Sequence, residues 1–173
     1  MNDPTVLHAF DKITGTWQYV VADSATSIAV IIDPVLNFDP ASGKVSTGSA
    51  DALLDIVNGQ GYKVDMILET HAHADHMTAA SYLQHQLGQQ QGRKTRICIG
   101  KRIKQVQDLF AERYNIPTEE YEGVFDKLWE DDETFAIGNL TATAIHLPGH
   151  TPDHMGYKIG SEYRTSNFQQ AIN

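Results

Sequence analysis

Residues 64–76 read VDMILETHAHADH: an apolar stretch running straight into three histidines and an aspartate. Val64 to Glu69 has the composition of a buried strand. Just past it, His71-Ala72-His73-Ala74-Asp75-His76 forms an H-x-H-x-D-H run. In extended chain, residues two apart point the same way, so His71 and His73 can converge on one cation. Asp75 and His76 come where the chain turns, placed to face a second cation or to orient the first ligands. The intervening alanines leave room for a tight backbone. Asp75 is also the candidate catalytic carboxylate. A second histidine segment, His146-Leu147-Pro148-Gly149-His150-Thr151-Pro152-Asp153-His154, closes a later strand with a Pro-Gly turn. Beside the first run, His150 reads as a third imidazole ligand, whereas His146 and His154 read as strand or turn residues. His8 and His85 have no partner in sequence.

Around these segments the chain alternates strands and helices. Thr16–Asp23 and Ser27–Asp33 read as an antiparallel hairpin. Residues 34–48, with two prolines and two glycines, read as loop. Ser49 is placed to cap a helix through Val57, with Gly59 beyond its end. Thr78 is placed to cap another through Leu87, stopped by Gly88, with 88–92 as loop. A strand is expected at Thr95–Ile99, a helix at Lys101–Tyr114 before Pro117, and strands at Thr134–Ile137 and Leu140–His146 around Gly138-Asn139. His154–Gly160 is a last strand. Strands mixed with helices, some strands antiparallel, predict an α/β (α+β) chain in which helices cover sheets, not an all-parallel doubly wound sheet.

With 173 residues the chain suits one domain. Thirteen Lys+Arg against twenty-two Asp+Glu give a net charge of −9, which argues against general nucleic-acid binding. The start, MNDPTVLHAF, has neither the basic flank nor the apolar stretch of a signal peptide, and no run is long enough to span a membrane. The expected location is cytoplasmic, with a mitochondrial one left open. Cys98 is the single cysteine, so no internal disulfide or cysteine metal cluster is possible, and its apolar neighbours mark it as a buried strand residue. Residues 93–104 hold six of the basic side chains, read as a solvated strand end and helix face, with a local attractor for an anionic small molecule as the alternative. The eight acids of 119–133 read as a solvated connector.

The run His71–His76, together with Pro148-Gly149-His150-Thr151 further along, resembles the metallo-β-lactamase superfamily. The resemblance covers most of residues 6–163; residues 1–163 are taken as the domain, with 164–173 a divergent tail. It implies an αββα sandwich with metal at one edge of two packed sheets, and it gives Asp33, at the end of Ile31-Ile32-Asp33-Pro34, a role supporting the metal loop. Glu69–His76 and Gly149–Pro152 look most like persulfide dioxygenases. That branch implies one Fe(II) on His71, His150 and a later aspartate, with open positions for the persulfide of a small thiol, glutathione first, and O₂. Glyoxalase II, a thioester hydrolase, is similar in the same places. It implies two metals, zinc being the alternative ion: His71, His73 and His150 on one, Asp75 and His76 on the other. The later aspartate is expected near position 168, yet no acid comes after Glu162, so the resemblance implies a domain incomplete at its C-terminus. A third reading is therefore a catalytically dead remnant of the fold. Oligomeric state is left open.

Overall fold

Two central strands are apolar at nearly every position, and the computed structural model, which describes residues 3–160, gives the reason. Strand β3 (Ile28–Ile32) lies between its antiparallel neighbour β2 (Thr16–Asp23) and its parallel neighbour β6 (Lys63–Leu68). Both faces of this sheet are covered, so alternate residues serve two different cores. Val20, Ala22, Ala29, Ile31, Val64 and Ile67 face one core; Val21, Val30, Met66 and Leu68 face the other.

In chain order the elements are β1 (Thr5–Asp11), β2, β3, β4 (Val35–Asp39), β5 (Lys44–Ser46), α1 (Gly48–Gln60), β6, β7 (Met77–Thr78), α2 (Ala80–Gln91), β8 (Arg96–Gly100), α3 (Ile103–Tyr114), a 3₁₀ turn (Thr118–Glu120), β9 (Lys127–Trp129), β10 (Thr134–Ile137), β11 (Leu140–His146) and β12 (Met155–Ile159). The larger sheet runs β1-β2-β3-β6-β8-β9, antiparallel over its first three strands and parallel thereafter. Helices α1 and α2 cover one face through Leu53, Leu54, Val57, Leu83 and Leu87. The antiparallel sheet β10-β11-β12 covers the other through Ile137, Leu140, Ala142, Ala144, Met155 and Tyr157. The described residues thus supply helix, sheet and sheet as stacked layers of a mixed α/β sandwich, and a small sheet β5-β4-β7 lies beside them.

Several local expectations are corrected. Residues 34–48 are not all loop: β4 and β5 pair antiparallel there. Helix α1 runs through Gly59 to Gln60 and ends at Gly61, whose φ of 69° is left-handed; Ser49 does not cap it but donates to Asp11 Oδ2 at 2.6 Å. Helix α2 runs through Gly88 and the glutamines to Gln91, ending at Gly92 in the same conformation. Glutamine is a fair helix former, so one internal glycine does not stop it. Thr78 is not that helix's cap, a position Ala79 holds without a side-chain bond, although the Thr78 hydroxyl accepts the Ala80 N–H at 3.0 Å. Helix α3 begins at Ile103, not Lys101. Cys98 is fully buried, and burial pushes its thiol up to about 12. The basic segment is largely neutralised: Arg93 and Arg96 pair with Asp65, Lys94 with Asp126, Lys101 with Glu130 and Arg102 with Asp131. No helix among the described residues is long and apolar enough to cross a membrane.

Candidate metal centre

Strand β3 ends at Ile32, and the next residue, Asp33, with a φ of 49°, turns the chain out of the sheet. Aspartate tolerates the left-handed region better than most residues. The turn directs its carboxylate across to the end of β6, where Oδ1 accepts Thr70 N–H and Oδ2 accepts the Thr70 hydroxyl, both at 2.8 Å. Having donated its only proton to Asp33, the Thr70 hydroxyl can only accept from His71, 2.8 Å from Nδ1. That assigns the proton of His71 to Nδ1 and leaves Nε2 as its lone pair. Burial, reinforced by the charge on His73, lowers the His71 pKa to about 4, so the ring is neutral and ready as a ligand.

His73 sits differently. Its Nε2 lies 3.1 Å from Glu69 Oε2 and 3.2 Å from Asp33 Oδ1, with both carboxylates buried. Burial alone would lower its pKa, but the hydrogen bonds to Asp33 and Glu69 outweigh that and raise it to about 10. Glu69 has its other oxygen bonded by the Thr78 hydroxyl. Burial raises the Glu69 pKa, while His73 and Thr70 hold Asp33 low in spite of burial.

The remaining imidazoles gather around these two. Ring centroids lie 4.2 Å apart for His71–His73 and for His73–His76, 4.8 Å for His71–His150 and 4.7 Å for His71–His154. One ligand atom from each of His71, His73 and Asp75 falls within 4.8 Å of the others. His150 is exposed on the β11–β12 loop, and it lines with His71, His73, Asp75 and His76 a cleft of about 260 Å³ that Thr16 and Trp17 also border. All five residues read from the sequence as ligands are therefore brought to one place. His146 is not: its ring bonds the carbonyl of Pro152 at 2.9 Å. His8 packs on Trp17 and His85 lies on α2, both apart from the cleft lining.

Two features escaped the sequence reading. His154, read as a strand or turn residue, is also buried and stacks on His71. Glu69 and Thr70 do much of the work of orienting the histidines, and nothing in their spacing marks them, since their partners are 4 and 37 residues away. The donor set suits a transition-metal cation. His76 adds a specific sign: its side chain is 1% exposed, and Nε2 has no hydrogen-bond partner among the described residues. A buried nitrogen at the wall of a histidine cleft is stabilised by a cation there.

Residues 13–162 match the sequence profile of the metallo-β-lactamase superfamily. The chain belongs to that superfamily. A probable metallo-hydrolase of Burkholderia pseudomallei (strain 1710b) is 39% identical over 96% of this chain and 55% of its own length. Glyoxylase B2 of Dictyostelium discoideum is 36% identical over 94% of this chain and 55% of its own. The chain thus spans about half the length of these relatives. Among solved structures, ETHE1 from Myxococcus xanthus superposes with a TM-score of 0.65 at 22% identity, covering 90% of this chain and 53% of that one, which bears on the fold. The αββα family and mixed α/β fold expected from the histidine segments are borne out. The aspartate expected near 168 lies outside the described residues.

Proposed function

We propose that this superfamily domain is a persulfide dioxygenase whose single Fe(II) is held by His71 and His150, with Asp75 a carboxylate within 4.8 Å of a His71 ligand atom. The observation that carries this reading is the division of labour among the histidines. His71 has Nδ1 locked by the Thr70–Asp33 relay, which leaves Nε2 toward a cleft that it shares with His150, 4.8 Å away by ring centroid. His73 has Nε2 engaged by two buried carboxylates, which suits a supporting role. The motif around Glu69–His76 supports the same branch. When bound, the iron supplies open positions for the persulfide sulfur and O₂, and the overall balance is glutathione persulfide plus O₂ plus water to glutathione, sulfite and two protons. The chain's own residues hold the ligands: Asp33 fixes the tautomer of His71, and Trp17 gives the cleft an apolar wall for the carrier.

Thioester hydrolysis is the second reading, favoured by one observation. His76 Nε2, buried without a partner among the described residues and beside Asp75, offers a donor for a second cation, as the hydrolase resemblance implies. One experiment separates the two. Protein loaded anaerobically with Fe(II), or with Zn(II), is assayed for persulfide-dependent O₂ uptake with sulfite release and for hydrolysis of a glutathione thioester. Sulfite formed by the iron form supports the dioxygenase. Thioester turnover without O₂ uptake gives the case to the hydrolase, and metal binding with neither activity leaves a remnant of the fold.

A further inference from the structure

Asp153 is a buried carboxylate for which the proposed chemistry has no use. It is 1% exposed, its Oδ2 accepts Ala72 N–H at 2.9 Å, and its Oδ1 is buried with no hydrogen-bond partner among the described residues. Ala72 lies between His71 and His73, and Asp153 is three residues past His150. We propose that Asp153 is a positioning residue that ties the two histidine loops to each other, through Ala72 N–H, and so sets the spacing of His71 and His150 around the metal. This rests on the reading of those two histidines as ligands.

The physical case is one of cost and placement. A buried carboxylate that accepts a single hydrogen bond loses far more hydration than that bond returns. It persists where a cation or a convergent structure offsets the loss. Two further bonds join the same two segments: Met155 N–H to Thr70 carbonyl and Tyr157 hydroxyl to Glu69 carbonyl, each 2.8 Å. Both grip the chain before His71. Asp153 alone among these three reaches past His71, to the amide inside the H-x-H run. Removing it leaves the base of the loop anchored and frees its tip, where the ligand nitrogens are. Groups that orient ligands in this way are worth about 10–100-fold in metal affinity.

The test uses Co(II) as probe on the purified chain, with affinity from chelator competition and geometry from the cobalt absorption bands, for wild type, Asp153→Asn and Asp153→Ala. Asparagine keeps an oxygen for Ala72 N–H, so it is expected to retain the wild-type spectrum and affinity within about threefold. Alanine is expected to lose about 10-fold or more and to alter the spectrum, with the far-ultraviolet circular dichroism of the metal-free protein unchanged. Wild-type affinity and spectrum in Asp153→Ala overturn the proposal, as does Asp153→Asn behaving like Asp153→Ala, which would make charge the operative property. Should the alanine variant fail to fold, Asp153→Ser, whose hydroxyl falls short of Ala72, takes its place under the same criteria. A wild-type chain that takes up no Co(II) overturns the metal reading and this one together.

Discussion

Asp33 has three partners on one carboxylate: the Thr70 amide, the Thr70 hydroxyl and the His73 ring. Asp33→Ala would leave a protonated His73 with Glu69 alone and two Thr70 groups unsatisfied, a break in a buried pair that costs about 3–5 kcal/mol. Asp33→Asn keeps an acceptor and tolerates the left-handed φ, so its loss should be clearly smaller. Urea unfolding of the metal-free variants checks the order, and equal stabilities would refute it. His71→Ala and His150→Ala are expected to abolish metal uptake measured by elemental analysis; unchanged occupancy in both would remove the centre from these residues. At this scale the sequence was readable where function repeats a spacing, as in His71-x-His73, and where a strand ends on an acid, as at Asp33. It was silent at Glu69, Thr70 and His154, because their roles come from segments that meet only in the fold.

Turns and edge strands are where elements were hardest to read. Strands β1, β4, β5, β7 and β9 were missed because they are short or half exposed, so neither alternation nor an apolar run marks them, whereas β10 and β11 were legible from Gly138-Asn139 and clean flanks. Gly138 also packs the hairpin onto the β2–β3 turn. Its φ is 57°, and an added Cβ would overlap Thr26 Oγ1 and lie 2.5 Å from Asp23 Oδ2, which holds Asn139 N–H at 2.7 Å. Backbone strain and overlap act together, so Gly138→Ala should cost about 1–3 kcal/mol, read from the thermal midpoint. Asp126 joins α2 to the start of β8, accepting from Gln84 Nε2 and Ile97 N–H at 2.9 Å and from Lys94. Burial raises its pKa, but Lys94 and Ile97 outweigh that and hold it below 3.8. A carboxylate depressed in the folded state contributes stability that is present above its unfolded pKa and lost as pH falls through the folded one. Asp126→Ala should therefore lower stability at pH 7 by about 1–2 kcal/mol, and the gap to wild type should narrow below about pH 3.8; a gap independent of pH would refute the assignment.

The two sheets meet at the histidine cleft, and the two proposed ligands come from both. His71 lies just past β6 of the larger sheet, and His150 lies on the loop between β11 and β12 of the smaller one. That both motifs close strands was visible in sequence; that the strands belong to different layers was not, since strand order depends on contacts far apart in the chain. A metal held by both histidines is a cross-link between layers that exists only in the folded state. By mass action it stabilises the fold by about 2.7 kcal/mol when free metal is about 100 times its dissociation constant. For a chain of this size each kcal/mol moves the midpoint by about 2–4 °C, so loading should raise it by roughly 5–11 °C. His150 is exposed, so replacing it removes little packing, and the midpoint of metal-free His150→Ala should stay within about 2 °C of wild type. The same variant should lose the response to metal, because without His150 the cleft no longer takes up the ion that would stabilise the fold. Scanning calorimetry of wild type and His150→Ala, each with and without metal, tests this directly. An equal rise in both proteins would mean that the cation sits on the larger sheet alone, and the bridging role of the cleft would fall.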